Sequence, residues 1–328
     1  MKNSFFLTLL IIPLFVGCGR GDIPRVRTVP LMGTFVNITV CGIPSDKNKV
    51  IDDAILLAGT LESKFNAFDP ESEVNKVNME GGGEISSDLY EVLEISNNIS
   101  SLTEGEFDIT VAPILKKEGF YKEMPAILLN NIPNKYIKES WDKVDLVQYD
   151  RVILKDGVWI DLSGIAKGYI VDRMASFLSS NGLNIFLINA GGDMFCGKSP
   201  GGKKWRVGLR EPGSEDVVLV LAVEDAAVAT SGDYENWVFS ETVGLDVTHI
   251  VDPENISVIK KKLSSVTVIA STCVYADALA TGMMAMGSSR AIDLAETAEG
   301  VEVITVDRDG EGYRIGYSSG AEKYISKS

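Results

Sequence analysis

Residues 184–210 read NIFLINAGGDMFCGKSPGGKKWRVGLR, and they decide whether the chain is built around a phosphate loop. GDMFCGKS, at 192–199, matches the pattern G-x-x-x-x-G-K-[ST], and an apolar run of strand character precedes it. VVLVLAVED at 217–225 resembles a second apolar strand that ends in an acid, so the chain could be read as an ATPase. That loop works only if the lysine and serine open a helix whose first amides hold the phosphates. Here Pro200, Gly201 and Gly202 follow at once, and KKWRVGLR then has a strand pattern. Two glycines in a first helical turn cost about 1 kcal/mol each relative to alanine, and no helical stripe follows. The glycines read instead as turn formers, or as places where backbone approaches a ligand.

Outward from this stretch, helices and strands come in mixed order. Residues 28–40 read as strand with a turn at Gly33, and 48–65 carry a helical stripe of Val50, Ala54, Leu57, Ala58 and Leu61. A second helix is expected from Ser87 to Thr103, capped by Ser86 or Ser87 and ended by Gly105. Residues 151–161 suggest a hairpin turning at Asp156-Gly157, and a third helix follows Ser163 until Asn181-Gly182. Strands are expected at 184–189, 204–210, 217–223, 265–270, 301–306 and 312–317, with helices near 276–286 and 289–299. There is no clean βαβ alternation. The expectation is an α+β fold, mixed but with largely antiparallel sheets and packed helices.

The chain opens MKNSFFLTLLIIPLFVGC, a positive start and an apolar run too short to span a bilayer. Residues 1–17 read as a signal peptide. The ending LFVGC resembles a lipoprotein cleavage box, so Cys18 is the expected lipidation site, 18–25 a tether and 26–328 the globular domain. An acyl chain would hold the protein on a membrane surface, exported and on the periplasmic side. A net charge of −15 argues against nucleic acid as a partner. After Cys18, three widely spaced cysteines (Cys41, Cys196 and Cys273) are not a disulfide framework, and with one histidine and no CxxC pair a zinc site is not expected.

Five segments look unlike core packing: LMGT (31–34), GEFDITVAP (105–113), DLSGIAKGYIVD (161–172), ATSGDYEN (229–236, read as a turn) and STCVYADALATGM (271–283). Asp277 and Thr281 stand four residues apart, hence on one helical face. A carboxylate and a hydroxyl presented together are hard oxygen ligands suited to Mg²⁺, although a buried Asp–Thr hydrogen bond would satisfy the same spacing. Lys167 at a helix start could bind an anion or simply be solvated. His249, in GLDVTHIVDP (244–253), is the only histidine, and by itself reads as one polar residue on a strand.

In this order, the segments DLSGIAKGY, ATSGDY, HIVDP and DALAT resemble the ApbE family, the bacterial FAD:protein FMN transferases, from Met32 to about Gly287. The resemblance implies a two-lobed, T-fold-related α+β architecture with FAD in a cleft. It implies Mg²⁺-dependent cleavage of the FAD pyrophosphate, passage of FMN to a threonine or serine hydroxyl of an acceptor protein such as a membrane redox subunit, and release of AMP. By position it makes Asp277, Thr281 and the carbonyl of Gly164 metal ligands, with the carbonyl of Ala280 a further candidate. Met32, Phe68, Phe107, Asp108, Asp161 and Lys167 would line the FAD site, with His249 beside them. Phe68 and Asn66 depart from the tyrosine and serine usual in relatives, which bears on the balance between transfer and hydrolysis. A hydroxyl needs a base to become a nucleophile, and histidine is the natural base near neutral pH. In this context His249 becomes the expected catalytic residue, with Asp252 and Asp233 as rivals. An FAD pyrophosphatase and a non-catalytic flavin-binding lipoprotein are the alternative readings.

Overall fold

The structure, a computed structural model, describes residues 24–42, 48–210, 216–233, 238–240, 245–247, 250–253, 257–258, 263–310 and 312–326. The expected signal segment (residues 1–17), Cys18 and His249 lie outside the described residues.

Eight strands form the central sheet, in the spatial order Arg25–Leu31, Thr34–Val40, Phe186–Ala190, Asp193–Cys196, Ala226–Gly232, Leu263–Ala270, Glu302–Asp309 and Gly312–Tyr317. Spatial order equals chain order, and each neighbouring pair is antiparallel. The expected α+β class with antiparallel sheet is therefore the observed one.

The helices are α1 (Asn48–Phe65), α2 (Glu73–Glu80), α3 (Ser87–Leu102), α4 (Ala112–Glu118), α5 (Ala126–Leu129), α6 (Ala166–Ser180), α7 (Cys273–Met286) and α8 (Ser288–Thr297). The first six lie in the long connection between the second and third strands of the sheet, and the last two between the sixth and seventh. Side chains alternate across a strand, so each face of the sheet can hold its own core. Ile188, Ala190, Ala227, Ala229, Val266 and Val268 join the large core with α1, α6 and α7. Leu187, Met194, Val228, Ile269 and Ile304 face the other way, under the hairpin of Trp205–Arg210 and Val217–Val223. With both faces covered, all eight residues of Leu263–Ala270 are buried.

Helix α7 lies inside the large core, with eleven of its fourteen residues buried. A helix apolar all round is a core helix, and the small residues of ADALATG let its neighbours come close. A Cβ on Gly168 of α6 would sit 2.4 Å from the Cys273 carbonyl oxygen and 2.8 Å from Asp277 Cβ. Only glycine permits that helix crossing.

Several local expectations differ from the structure. The run 192–199 opens no helix of the kind a phosphate loop needs. Asn189 to Asp193 form a tight turn between two strands, and Pro200–Gly202 a single 3-10 turn before the next strand. The turn at Asp156-Gly157 exists, with φ of 56° and 69°, but it is not a hairpin turn. Arg151–Leu154 pairs with Val144–Gln148 and Gly82–Glu84, while 158–161 run buried without a strand partner. Their polar groups are met elsewhere: Asn78 exchanges hydrogen bonds with Ile160 N (2.7 Å) and O (2.8 Å), and Asp161 N donates to Ile109 O. Ser163 does not cap the third helix, which starts at Ala166. The Asp161 carboxylate accepts the Ser163 amide at 2.7 Å and turns the chain first. ATSG at 229–232 is not a turn but part of a central strand, its Thr230 hydroxyl 2.9 Å from that of Thr267.

Candidate active site

One cavity of about 530 Å³ opens where the helical connection, the sheet and α7 meet. Its walls come from far apart in the chain. Met32 and Gly33 lie at the tip of the first hairpin, Glu62 and Phe65 on α1, Asn66 and Phe68 in the following loop, and Glu106 to Ile109 between α3 and α4. Asp161, Ser163 and Gly164 precede α6, Lys167 is on its first turn, and Asp277 and Thr281 face in from α7. All the described side chains expected from the sequence to bind flavin or metal line this one cavity. His249 falls outside the described residues, but its neighbour Ile250 lines the cavity, as do Val251 and Pro253.

The hairpin tip is strained. Met32 has φ 54° and Gly33 φ 68°, the two positive values of a tight hairpin turn. A methionine there costs about 1–2 kcal/mol relative to an ordinary conformation. Its amide donates to Glu62 Oε1 at 2.7 Å, which holds the turn against α1. Asn75, on α2, donates to the carbonyls of Asn66, Ala67 and Asp69, and so fixes the loop that carries Phe68. Asn66 accepts the Phe68 amide at 2.9 Å. Phe68 is 44% exposed at the rim, edge-on to Tyr121, where a flat ring can meet a ligand.

The carboxylates differ in how they are held. Asp108 accepts from Thr110 N (2.7 Å), Thr110 Oγ1 (2.6 Å) and the Tyr136 hydroxyl (2.6 Å), and burial raises its pKa despite these bonds. Asp161 accepts from the Tyr121 hydroxyl and the Ser163 amide. Both phenols are pushed upward, first by burial and then by the adjacent carboxylates, so each stays a donor. These two acids are thus anchored parts of the wall. Asp277, 4% exposed, accepts the Gly168 amide on Oδ2 at 2.9 Å, with Lys167 Nζ 3.6 Å from Oδ1. Lys167 also contacts Asp193, which sequence reasoning does not single out because it falls inside the rejected phosphate-loop match. Of the rival bases, Asp233 is ion-paired to Arg308 and outside the cavity wall; Asp252 is buried and also outside it.

The donors near α7 suit a hard divalent ion. Thr281 Oγ1 lies 3.6 Å from where a Cβ on Gly164 would be, and 3.4 Å from Ser231 Oγ. One carboxylate, one hydroxyl and the neighbouring Gly164 backbone are a sparse oxygen set. Mg²⁺ characteristically takes few protein ligands and completes its shell with water and substrate phosphate. Among the described residues no three His, Cys, Asp or Glu side chains gather as a metal cage.

This antiparallel α+β fold is shared by solved flavin transferases. The Flavin Transferase ApbE from Vibrio cholerae superposes with a TM-score of 0.78 at 25% identity, covering 92% of this chain and 99% of that one. The ApbE protein of Thermotoga maritima gives 0.79 at 26% identity, over 93% and 100%. Among curated sequences, the FAD:protein FMN transferase of Vibrio cholerae is 28% identical over the full length of both chains. That of Treponema pallidum is 32% identical, over 94% of this chain and 93% of its own. The model of the ApbE family matches residues 32–305, and the chain belongs to the ApbE family.

Proposed function

We propose that this protein transfers FMN from FAD to a threonine or serine hydroxyl of an acceptor protein, with Mg²⁺ as cofactor and AMP as the second product. The observation that carries this reading is the convergence of Asp277 and Thr281 of α7 with Lys167 of α6 and Gly164 just before it on one cavity with an aromatic rim. Phosphoryl-type transfer is mainly positioning and charge stabilisation, and these are the groups it needs.

Met32, Phe68, Phe107, Asp108 and Asp161 form the flavin-nucleotide walls, and Lys167 faces the pyrophosphate. Asp277, Thr281 and the Gly164 carbonyl would hold Mg²⁺, which supplies Lewis-acid neutralisation of pyrophosphate charge. His249, immediately before cavity-lining Ile250, takes the proton of the acceptor hydroxyl. The hydroxyl oxygen forms a bond to the FMN phosphorus, the anhydride P–O bond breaks, and AMP leaves. Tyr121 and Tyr136 donate to the buried acids Asp161 and Asp108 and hold the wall in place. An acyl chain on Cys18 would place the enzyme on the periplasmic side of a membrane, beside membrane-bound acceptors.

The test uses the full chain in detergent with FAD, Mg²⁺ and an acceptor domain. The acceptor should gain the mass of one FMN with equimolar AMP, and neither product should form with EDTA. AMP released with the acceptor unmodified would mark a pyrophosphatase. Intact FAD in the presence of acceptor and Mg²⁺ would mark a flavin carrier.

A further inference from the structure

We infer that Asp193 is a positioning residue of the site: it holds the Lys167 ammonium on the inner wall of the cavity, beside Asp277, so that the pyrophosphate of FAD meets a fixed positive charge. This rests on the proposed FAD site and deepens it.

Lys167 is the second residue of α6. A cation at a helix N-terminus opposes the helix dipole, so local structure does not favour a lysine there. Its placement must come from partners across space. Two carboxylates supply it, Asp193 in direct contact and Asp277 at 3.6 Å. The lysine side chain keeps about a third of its surface exposed, at 32%, and lines the cavity. Asp193 is 3% exposed and does not line the cavity. It therefore reaches a ligand through Lys167.

Asp193 itself is held firmly. It opens the strand Asp193–Cys196, paired with Ala190 across the turn. Asn189 Oδ1 accepts the Gly192 amide at 2.9 Å, closing that turn from within. Gly191, at φ 62°, sits so close to Thr34 that a Cβ would lie 2.6 Å from its Oγ1. The turn is thus seated on the strand that follows Met32-Gly33. In the wild type, Asp193 draws the ammonium toward the sheet. Without that carboxylate, the lysine is drawn to Asp277 and would settle on the proposed metal ligand instead of facing phosphate.

The test is a double-mutant cycle on the full chain, with FAD as the probe. FAD affinity is read by flavin fluorescence in EDTA, and KM and kcat with Mg²⁺, after melting curves show folded protein. Asp193→Asn should weaken FAD binding about tenfold and raise KM more than it lowers kcat. Lys167→Met should weaken binding at least as much, and adding Asp193→Asn to Lys167→Met should change it by less than about twofold. Should the Asn variant fail to fold, Asp193→Glu, which keeps the charge but moves it by about one methylene, reads the same cycle. Losses that multiply in the double variant, or an Asp193 variant that binds FAD like wild type, overturn the inference. Lys167→Met with unchanged FAD affinity would also remove Lys167 from the proposed site, and a wild-type chain that binds no FAD would sink the site as a whole.

Discussion

Asp172, on α6, closes the start of α7: its carboxylate oxygens accept the amides of Cys273 at 2.7 Å and Val274 at 2.8 Å. Thr272, at the N-cap position, makes no side-chain cap of its own, so the cap comes from the neighbouring helix. One turn further along α7 stands Asp277. The interhelix cap and the Gly168 crossing together set the register of α7 against α6, and so the spacing between the proposed metal ligands and Lys167.

Burial, aided by the charges of Glu91 and Asp277, pushes the Asp172 carboxyl up from 3.8 to about 6. A carboxyl with a raised folded-state pKa binds its proton more tightly when folded. Its contribution to stability is full below about 3.8 and is lost as pH rises through about 6. Urea denaturation of the metal-free protein at pH 4 to 7 should show this falling component, and Asp172→Asn should remove it. Identical pH slopes in the two proteins would contradict the account.

Gly168→Ala tests the crossing. In an open helix the change would gain about 1 kcal/mol by propensity. Here the methyl meets the Cys273 backbone oxygen at 2.4 Å, and backbone cannot swing aside. Overpacking of this kind costs about 1–3 kcal/mol, so a net loss of stability is expected, seen as a lower guanidinium midpoint. A midpoint at or above wild type would show that the helices separate easily.

Asp277→Asn and Thr281→Val test the oxygen set. The first should lower Mg²⁺-dependent FMN transfer by roughly two orders of magnitude or more, because it removes the only carboxylate of the set. The second keeps the shape and removes one neutral oxygen. It should mainly raise the Mg²⁺ concentration needed for half-maximal rate, by about tenfold, one hydrogen-bond-sized loss. Calorimetric titration of Mg²⁺ into the FAD-bound variants separates weaker metal binding from slower chemistry.

His249→Ala should abolish acceptor modification while FAD affinity stays close to wild type. General-base catalysis contributes about 10²–10⁴-fold, so loss should be nearly complete on the time scale of the assay. Acceptor mass against time, with flavin fluorescence as the binding control, decides it. Full retained transfer would assign the base elsewhere.

Much of the fold and of the site is legible in the amino-acid sequence. The Asp277–Thr281 spacing predicts a shared helical face, and α7 presents both to the cavity. The glycine pair after Lys198 argues against a phosphate loop, and the chain there is strand and turn. Partners distant in sequence are not legible. Asp172 ends the segment DLSGIAKGYIVD, but nothing in its spacing shows that it caps α7. Asn75 and Asn78 carry no signal of their own in the sequence, yet each is buried and meets the backbone of segments that carry the site. Residues 229–232 look like a turn because small and hydroxylated residues are common there, but between two strands and under α7 small size is what close packing requires. Spacing along the chain reports local geometry; it does not report which distant groups must be satisfied.

The strand-by-strand order of the sheet also bears on how the site comes into being during synthesis. Thr34–Val40 and Phe186–Ala190 are neighbours, yet residues 41–185 must be made and folded between them. The hairpin tip at Met32 emerges early, while Asp277 and Thr281 arrive after most of the polypeptide has been made. No partial chain ending before α7 can hold both walls of the cavity. The complete cavity is therefore available only late in synthesis, once α7 has joined the walls made before it, and a ligand that needs both walls stabilises the chain only after that closure.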